Sequence, residues 1–447
     1  MAGPDRLSTG RWVVVGAGSS GCVIAGRLSQ DPSRSVTLLE AGPDLRPDDL
    51  DGALGGSDFL AALEVPDRTH TSLVATRSSG ATPSLYRRGR GLGGSSTINA
   101  MVALRGDPAL YRSWGWHDTA AAWSAVGIPE EPAEDGELGP VDRALLVAAP
   151  DAQRAPLTRR NGRRVTSAEV SLWPVLDRDN LTVRTDSTVD RLEFDGRRVC
   201  GIRMADGEVV SADRVVIAAG AVHSPAILLR SGVDTPGVGL GLQDHPSAPL
   251  TLQLRDGCVS APGSLTIGSL LQRGSVQILP MNHLGPEAPG LGLLMPALMR
   301  PVSRAGTVRL ASADPRVDPV VDFALLQDPA DVAALAAGVR AALDLLDTSA
   351  FREIVETVFI DAFGTTASAL QDDASIERWL RGAVGDYVHA SSSCAMGTVV
   401  DGDGRLVGYD GVYVCDASIF PSIPDVNTHL PTTMLAERMS ARWTAKR

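Results

Sequence analysis

Aromatic residues are scarce, with 7 Trp, 5 Tyr and 7 Phe among 447 residues. No aromatic box, carboxylate cage or cationic clamp can be assigned to a pocket, so the sequence names no substrate. Cysteine is scarcer still. Cys22, Cys200, Cys258, Cys394 and Cys415 are odd in number, scattered and without metal-ligand spacing. That excludes a disulfide framework and fits buried thiols in a reducing cytoplasm. No Ser-His-Asp arrangement or metal-binding cluster is evident, so no metal is expected. Positive charge is in deficit: 41 Lys and Arg face 53 Asp and Glu, a net −12. This disfavours nucleic acid and anionic membrane surfaces as partners. No apolar run approaches the ~18–20 residues that cross a bilayer, so no transmembrane segment is expected. Met1 to Arg11 holds no signal-peptide core. The expectation is a cytoplasmic globular protein, large enough for two domains, acting on a small molecule.

What the chain does hold is a nucleotide loop at one end and two histidines at the other. Trp12-Val13-Val14-Val15 is a short β-branched run. Gly16-Ala17-Gly18-Ser19-Ser20-Gly21 follows at once, then apolar residues at helical spacing (Val23, Ile24, Leu28). Val36-Thr37-Leu38-Leu39 makes a second strand that ends in Glu40. In this β-α-β order Gly16 permits the tight turn, Gly18 admits a pyrophosphate, and Gly21 lets helix pack on strand. Glu40, nineteen residues after Gly21, stands where an acid accepts a ribose hydroxyl. The pattern does not separate FAD from NAD.

Further on, Arg88 to Asn99 contains Gly93-Gly94-Ser95-Ser96, bare backbone able to lie against a flat ring or a phosphate. Residues 129–140, rich in acids and proline, read as a solvated loop. Residues 188–219 read as a three-stranded meander turning at Asp195-Gly196 and Asp206-Gly207. Ser224-Pro225 reads as a cap and first-turn proline of a helix ending at Gly232, and Asp328-Pro329 opens a helix to about Leu346. Between them, residues 245–325 suggest an antiparallel sheet. His389 and His429 lie forty residues apart near the C-terminus. Imidazole titrates near neutral pH, so a pair of them beside a redox nucleotide suggests oxidation of a hydroxyl. His245, beside Asp244, reads as a structural hydrogen-bond partner.

Together these segments resemble the glucose-methanol-choline (GMC) oxidoreductases, flavoenzymes that oxidise alcohols. The resemblance spans nearly the whole chain. The glycine loop with Glu40 is similar to that family's FAD-binding start. Gly89 to Gly106 resembles its first signature, and Gly220-Ala221-Val222-His223-Ser224-Pro225 to Val233 its second. Leu242 to Pro246, Ser312 to Pro315, His389 to Gly397 and Asp416 to Pro431 resemble later segments. The resemblance implies an α/β fold, with a Rossmann-like FAD-binding domain (8–113, 166–243 and 386–447) and a substrate domain with an antiparallel sheet (114–165 and 244–385). It implies His389 and His429 as catalytic residues. It implies FAD contacts at Gly16, Gly18, Gly21, Glu40, Gly93, Gly94, Ser95, Asn99, Val189, Asp416 and Ala417.

Departures from the family pattern shape the expectation. Ile98 stands where some members carry a histidine tethered to FAD, implying noncovalent FAD. Asp234 replaces the glycine that usually ends the second signature, and Ala-Ser-Ser-Ser follows His389 in place of Pro-x-Gly-Thr. The chain is short for the family, mainly between Trp116 and Val165, which implies a more open pocket or one closed by another protein. The expected reaction takes a proton from an alcohol oxygen and a hydride from its carbon, with the electron acceptor unnamed. A cyanohydrin-type lyase on the same scaffold, or a flavoprotein serving a peptide-derived redox cofactor such as mycofactocin, is the alternative.

Overall fold

The computed structural model describes residues 10–260 and 264–445. Five strands form a parallel sheet: β1 (Gly10–Val15), β2 (Arg34–Leu39), β3 (Leu181–Arg184), β4 (Arg214–Ile217) and β5 (Val412–Val414). Their order is β3-β2-β1-β4-β5. Val13 pairs with Thr37 on one side and Val215 on the other. Trp12, Val13, Val14 and Val15 are all buried. A parallel strand covered on both faces reads as a continuous apolar run, which is why β1 and β4 look so alike in sequence. From β1 the chain proceeds outward to β2 and β3, then returns to build β4 and β5 on the other side. The strand order therefore reverses between β1 and β4, and their C-terminal ends flank the crevice where such sheets bind ligands. Helix α1 (Ser19–Leu28) leaves that crevice and packs on the last helix, α4 (His429–Thr444).

The expected meander forms from Val189–Asp195, Arg198–Met204 and Val209–Ser211. The apolar run after it departs from expectation by continuing into the parallel sheet as β4. Hydrophobic on both faces, it is better buried beside β1 than at a meander's edge. A six-stranded antiparallel sheet lies elsewhere, ordered 355–359, 250–254, 291–298, 276–281, 269–273 and 153–154. Helix α3 (Pro329–Leu346) packs against this sheet. Its start follows the sequence, because the Asp328 side chain accepts from the Ala330 N–H and Pro329 occupies the first turn.

Helix α2 (Gly220–Arg230) begins four residues before the expected cap. Ser224 and Pro225 are inside it. Pro225 has no N–H for the Ala221 carbonyl, and the Ser393 hydroxyl donates there instead at 2.6 Å. The acidic stretch 129–140 is likewise not a free loop. Glu131 and Glu137 hold the buried Arg159 guanidinium at 3.1 and 2.6 Å.

Candidate functional site

The three loop glycines do three different jobs. Gly16 adopts φ +94°, and a Cβ there would meet the Ala218 carbonyl oxygen at 2.6 Å. At Gly21 a Cβ would meet the Gly16 carbonyl oxygen at 1.8 Å, so helix and turn are in backbone contact. At Gly18 a Cβ would meet nothing within 4 Å, so the N-terminus of α1 opens on free space. That is the geometry an anion needs to reach the helix amides.

The second glycine segment closes over the first. Gly93 N–H donates to Ala17 O at 2.8 Å, and a Cβ at Gly94 would lie 2.7 Å from Gly18 Cα. Glu40 ties the two together by accepting the N–H groups of Ala17, Gly42 and Gly91 at 2.8, 2.9 and 2.9 Å. A carboxylate has about four acceptor sites, so one stays free for a ribose hydroxyl. Val189 follows a turn pinned to the same strand end, where Ser187 N–H donates to Glu40 O at 2.8 Å. Ser95 Oγ is engaged within its own loop and accepts Gly89 N–H at 3.0 Å. Asn99 Oδ1 accepts from Arg164 Nη1 and Met101 N–H at 2.6 and 3.2 Å. Asp416 accepts Gly220 N–H, the Ser224 hydroxyl and Ser418 N–H, pinning α2 to the C-terminal segment. Ala417 O takes Ser392 N–H at 3.0 Å, which brings the stretch after His389 to the same place.

The two expected catalytic histidines have different hydrogen-bond partners. His389 Nδ1 lies 2.9 Å from His245 Nδ1, and His245 Nε2 lies 2.8 Å from the Pro424 carbonyl oxygen. A carbonyl only accepts, so His245 carries its hydrogen on Nε2 and offers Nδ1 as an acceptor. His389 must then donate from Nδ1, which leaves its Nε2 as an acceptor. The residue beside that lone pair is Asn427, whose Nδ2 is 3.5 Å away. His429 points elsewhere, and its Nδ1 is 3.0 Å from Ser19 Oγ on the first turn of α1. His245 is thus more than a structural neighbour of Asp244, because it sets the tautomer of His389. Asp244 supports the arrangement from below, accepting the N–H groups of His245 (2.7 Å), Tyr387 (3.2 Å) and His389 (3.0 Å) and the Tyr86 hydroxyl (3.0 Å).

The family model for GMC oxidoreductase matches residues 11–129 and 152–247 with its N-terminal part and 301–436 with its C-terminal part. The chain belongs to the GMC oxidoreductases. It is 32% identical to 5-(hydroxymethyl)furfural oxidase of Methylovorus sp. (strain MP688), over 96% of this chain and 97% of the relative. It is 29% identical to pyridoxine 4-oxidase of Microbacterium luteolum, over 96% and 98%. The structure superposes on pyridoxine 4-oxidase from Mesorbium loti with a TM-score of 0.87 at 25% identity, covering 98% and 99% of the two chains. A formate oxidase shares the fold alone, with a TM-score of 0.83 at 20% identity over 98% of each chain.

This GMC oxidoreductase acts on CH–OH groups and uses FAD. The residues present fit that cofactor. Gly18 leaves room beside the α1 amides, and two enclosed polar atoms, Arg164 Nη2 and His429 Nε2, have no protein partner. The Methylovorus alignment runs to 528 positions against 447 residues here, so that relative carries internal segments this chain lacks. Residues 130–151, inside the stretch read as shortened, lie outside the family match. No helix among the described residues is long and apolar enough to cross a membrane.

Burial holds the His245 imidazole down at about 4. Burial, then the Arg164 charge, does the same to His429, and His389 is also held well below 6.5 by burial. Between pH 6.5 and 4 the unfolded chain takes up protons that these folded imidazoles refuse, so stability falls on acidification. His245 and His429 each contribute roughly 3 kcal/mol to that fall. Asp244, pushed up to about 7 by burial and then Asp386, works in the opposite direction. His70, held down at about 3 by burial and then His223, adds a fourth imidazole against the carboxyls that burial raises, which also include Asp142, Asp331, Asp416 and Glu437. The urea midpoint should drop from pH 7 to pH 4.5, and a constant or rising midpoint would contradict these assignments.

Proposed function

We propose that this GMC oxidoreductase oxidises a small alcohol to a carbonyl compound with noncovalently held FAD. The acceptor lone pair on Nε2 of His389 carries the reading. It takes the hydroxyl proton, while the Asn427 NH₂ group hydrogen-bonds the same oxygen and stabilises the charge that develops there. FAD, when bound, supplies the hydride acceptor. Gly16, Gly18, Gly21, Glu40, Gly93, Gly94, Ser95, Asn99, Val189, Asp416 and Ala417 form the cofactor's bed. His429, bonded to Ser19, serves that bed and not the hydroxyl. Residues 8–113, 166–243 and 386–447 make up the cofactor-binding part, and 114–165 with 244–385 the substrate part. Ile98 supports noncovalent attachment, since its buried side chain offers no nucleophile.

The test is direct. The purified protein should be yellow and release intact FAD into the supernatant on acid precipitation. Under anaerobic conditions an alcohol from a panel including 5-(hydroxymethyl)furfural, pyridoxine and benzyl alcohol should bleach it. A coloured pellet would reject noncovalent attachment. Colour that no alcohol bleaches would reject alcohol oxidation and favour the lyase alternative, which leaves FAD oxidised.

A further inference from the structure

A second cluster of histidines lies outside the site described above. His70 Nδ1 and His223 Nε2 stand 3.9 and 3.2 Å from the same atom, Asp318 Oδ1. The three ligand atoms all lie within 4.8 Å of one another. The two imidazoles are stacked, with centroids 4.5 Å apart. The three side chains are between 16 and 24% exposed, which leaves a path from solvent.

The distances suit an ion better than a hydrogen-bonded trio. At 3.9 Å, His70 is beyond hydrogen-bond reach of the carboxylate. A zinc ion holds histidine nitrogen and carboxylate oxygen at ~2.0–2.2 Å, which sets the ligand atoms of a tetrahedral site ~3.4 Å apart. The two separations to Asp318 bracket that value. Burial, then the neighbouring His223, hold His70 well below 6.5, so its ring is neutral and can offer a lone pair at neutral pH. The Ser72 hydroxyl donates to Asp318 Oδ2 at 2.6 Å and orients the carboxylate, as the outer partners of metal ligands do. Arg88 and Arg90, the two cations that act on His70, are each engaged by a carbonyl oxygen, of Val388 and Ala41.

Each ligand comes from a different segment. His70 N–H donates to Arg88 O at 3.0 Å, beside the stretch that leads to Gly93 and Gly94. His223 lies in α2, whose start Asp416 holds. Asp318 lies in the connection between the antiparallel strands Gly306–Arg309 and Val320–Asp322.

We propose that His70, His223 and Asp318 bind one divalent transition-metal ion of the zinc class, with water in the fourth position, as a clamp joining these three segments. Two imidazoles and one carboxylate suit zinc and its neighbours, whereas Mg²⁺ prefers an all-oxygen shell. Zinc is redox-inert, and the site shares no residue with His389, Asn427 or the cofactor bed. The inference therefore stands apart from the flavin reading.

The experiment titrates chelator-stripped holoprotein with Zn²⁺ by calorimetry and follows its melting temperature, alongside His70→Gln, His223→Gln and Ser72→Ala. Wild type should take up one Zn²⁺ per chain at this site and melt at a higher temperature with it, because binding to the folded state alone stabilises it. Mg²⁺ at the same concentration should shift nothing. His70→Gln and His223→Gln should each weaken Zn²⁺ binding by more than ~100-fold, and Ser72→Ala, which only releases the carboxylate, by ~10-fold. Absence of a saturable Zn²⁺ equivalent in wild type overturns the proposal. Undiminished binding in both imidazole variants also overturns it and assigns the ion to Asp244, His245 and His389, the other trio of ligand atoms. Should His223→Gln not fold, His70→Gln decides, since His70 lies outside any helix or strand and its backbone bond to Arg88 O does not involve the ring. A zinc-induced rise in melting temperature that persists undiminished in His70→Gln overturns the clamp.

Discussion

His389→Asn should slow anaerobic flavin reduction by an alcohol ~10²–10⁴-fold while leaving FAD bound, the usual worth of a positioned acid–base group. Asparagine can still hydrogen-bond the hydroxyl but cannot take its proton. The relay through His245 leaves Nε2 of His389 as an acceptor, with the Asn427 NH₂ group as its neighbour. His429→Asn should stay within about tenfold of wild type, because that ring is bonded to Ser19. Stopped-flow reduction across pH 5–9 separates the two. Since burial holds the His389 imidazole well below 6.5, the acidic limb of wild-type kcat/KM should fall below pH 6.5. A larger loss in His429→Asn than in His389→Asn would reverse the roles.

Gly21→Ala should abolish FAD retention and cost about 3 kcal/mol or more of stability. The new methyl carbon would meet the Gly16 carbonyl oxygen at 1.8 Å. The turn has little room to relax. Gly16 is held by its N–H bond to Leu39 O at 2.7 Å and crowded by the Ala218 carbonyl behind it. Gly18→Ala is the informative contrast. Its methyl group meets no protein atom, so the fold should survive while FAD affinity falls at least ~10-fold through the space the diphosphate needs. Melting temperature and FAD dissociation constant measured on both variants check this. Normal FAD binding by Gly21→Ala would reject the packing role.

The β1-α1-β2 unit was legible because its signals are local: a β-branched run, a glycine turn, a helical stripe and a terminal acid. The His389 neighbourhood was not. His245 is 144 residues away, and nothing in Asp244-His245-Pro246 announces its partner. Asn427, which the sequence did not single out, lies beside His389 for a geometric reason. Asn427 precedes α4 and faces His389, whereas His429 is the first helical residue, and helical side chains lean toward the N-terminal end. Here that direction leads to α1. Arg164 was hidden in another way. Four arginines flank the Asn161-Gly162 turn, and only the pairing of Arg159 with Arg164 shows that those two face inward. Period-two alternation normally buries apolar residues, so arginine in that register gives no warning.

The histidine relay has a dead end. His389 can lean its Nδ1 hydrogen toward His245, but the far nitrogen of His245 already gives its hydrogen to the Pro424 carbonyl, which cannot accept a proton outright. On the proposed mechanism, a proton taken by His389 finds no acceptor along this relay and returns through the face by which it entered, where the carbonyl product would sit. Proton return to solvent would then wait on product departure, and the relay would work as a valve that the leaving product opens.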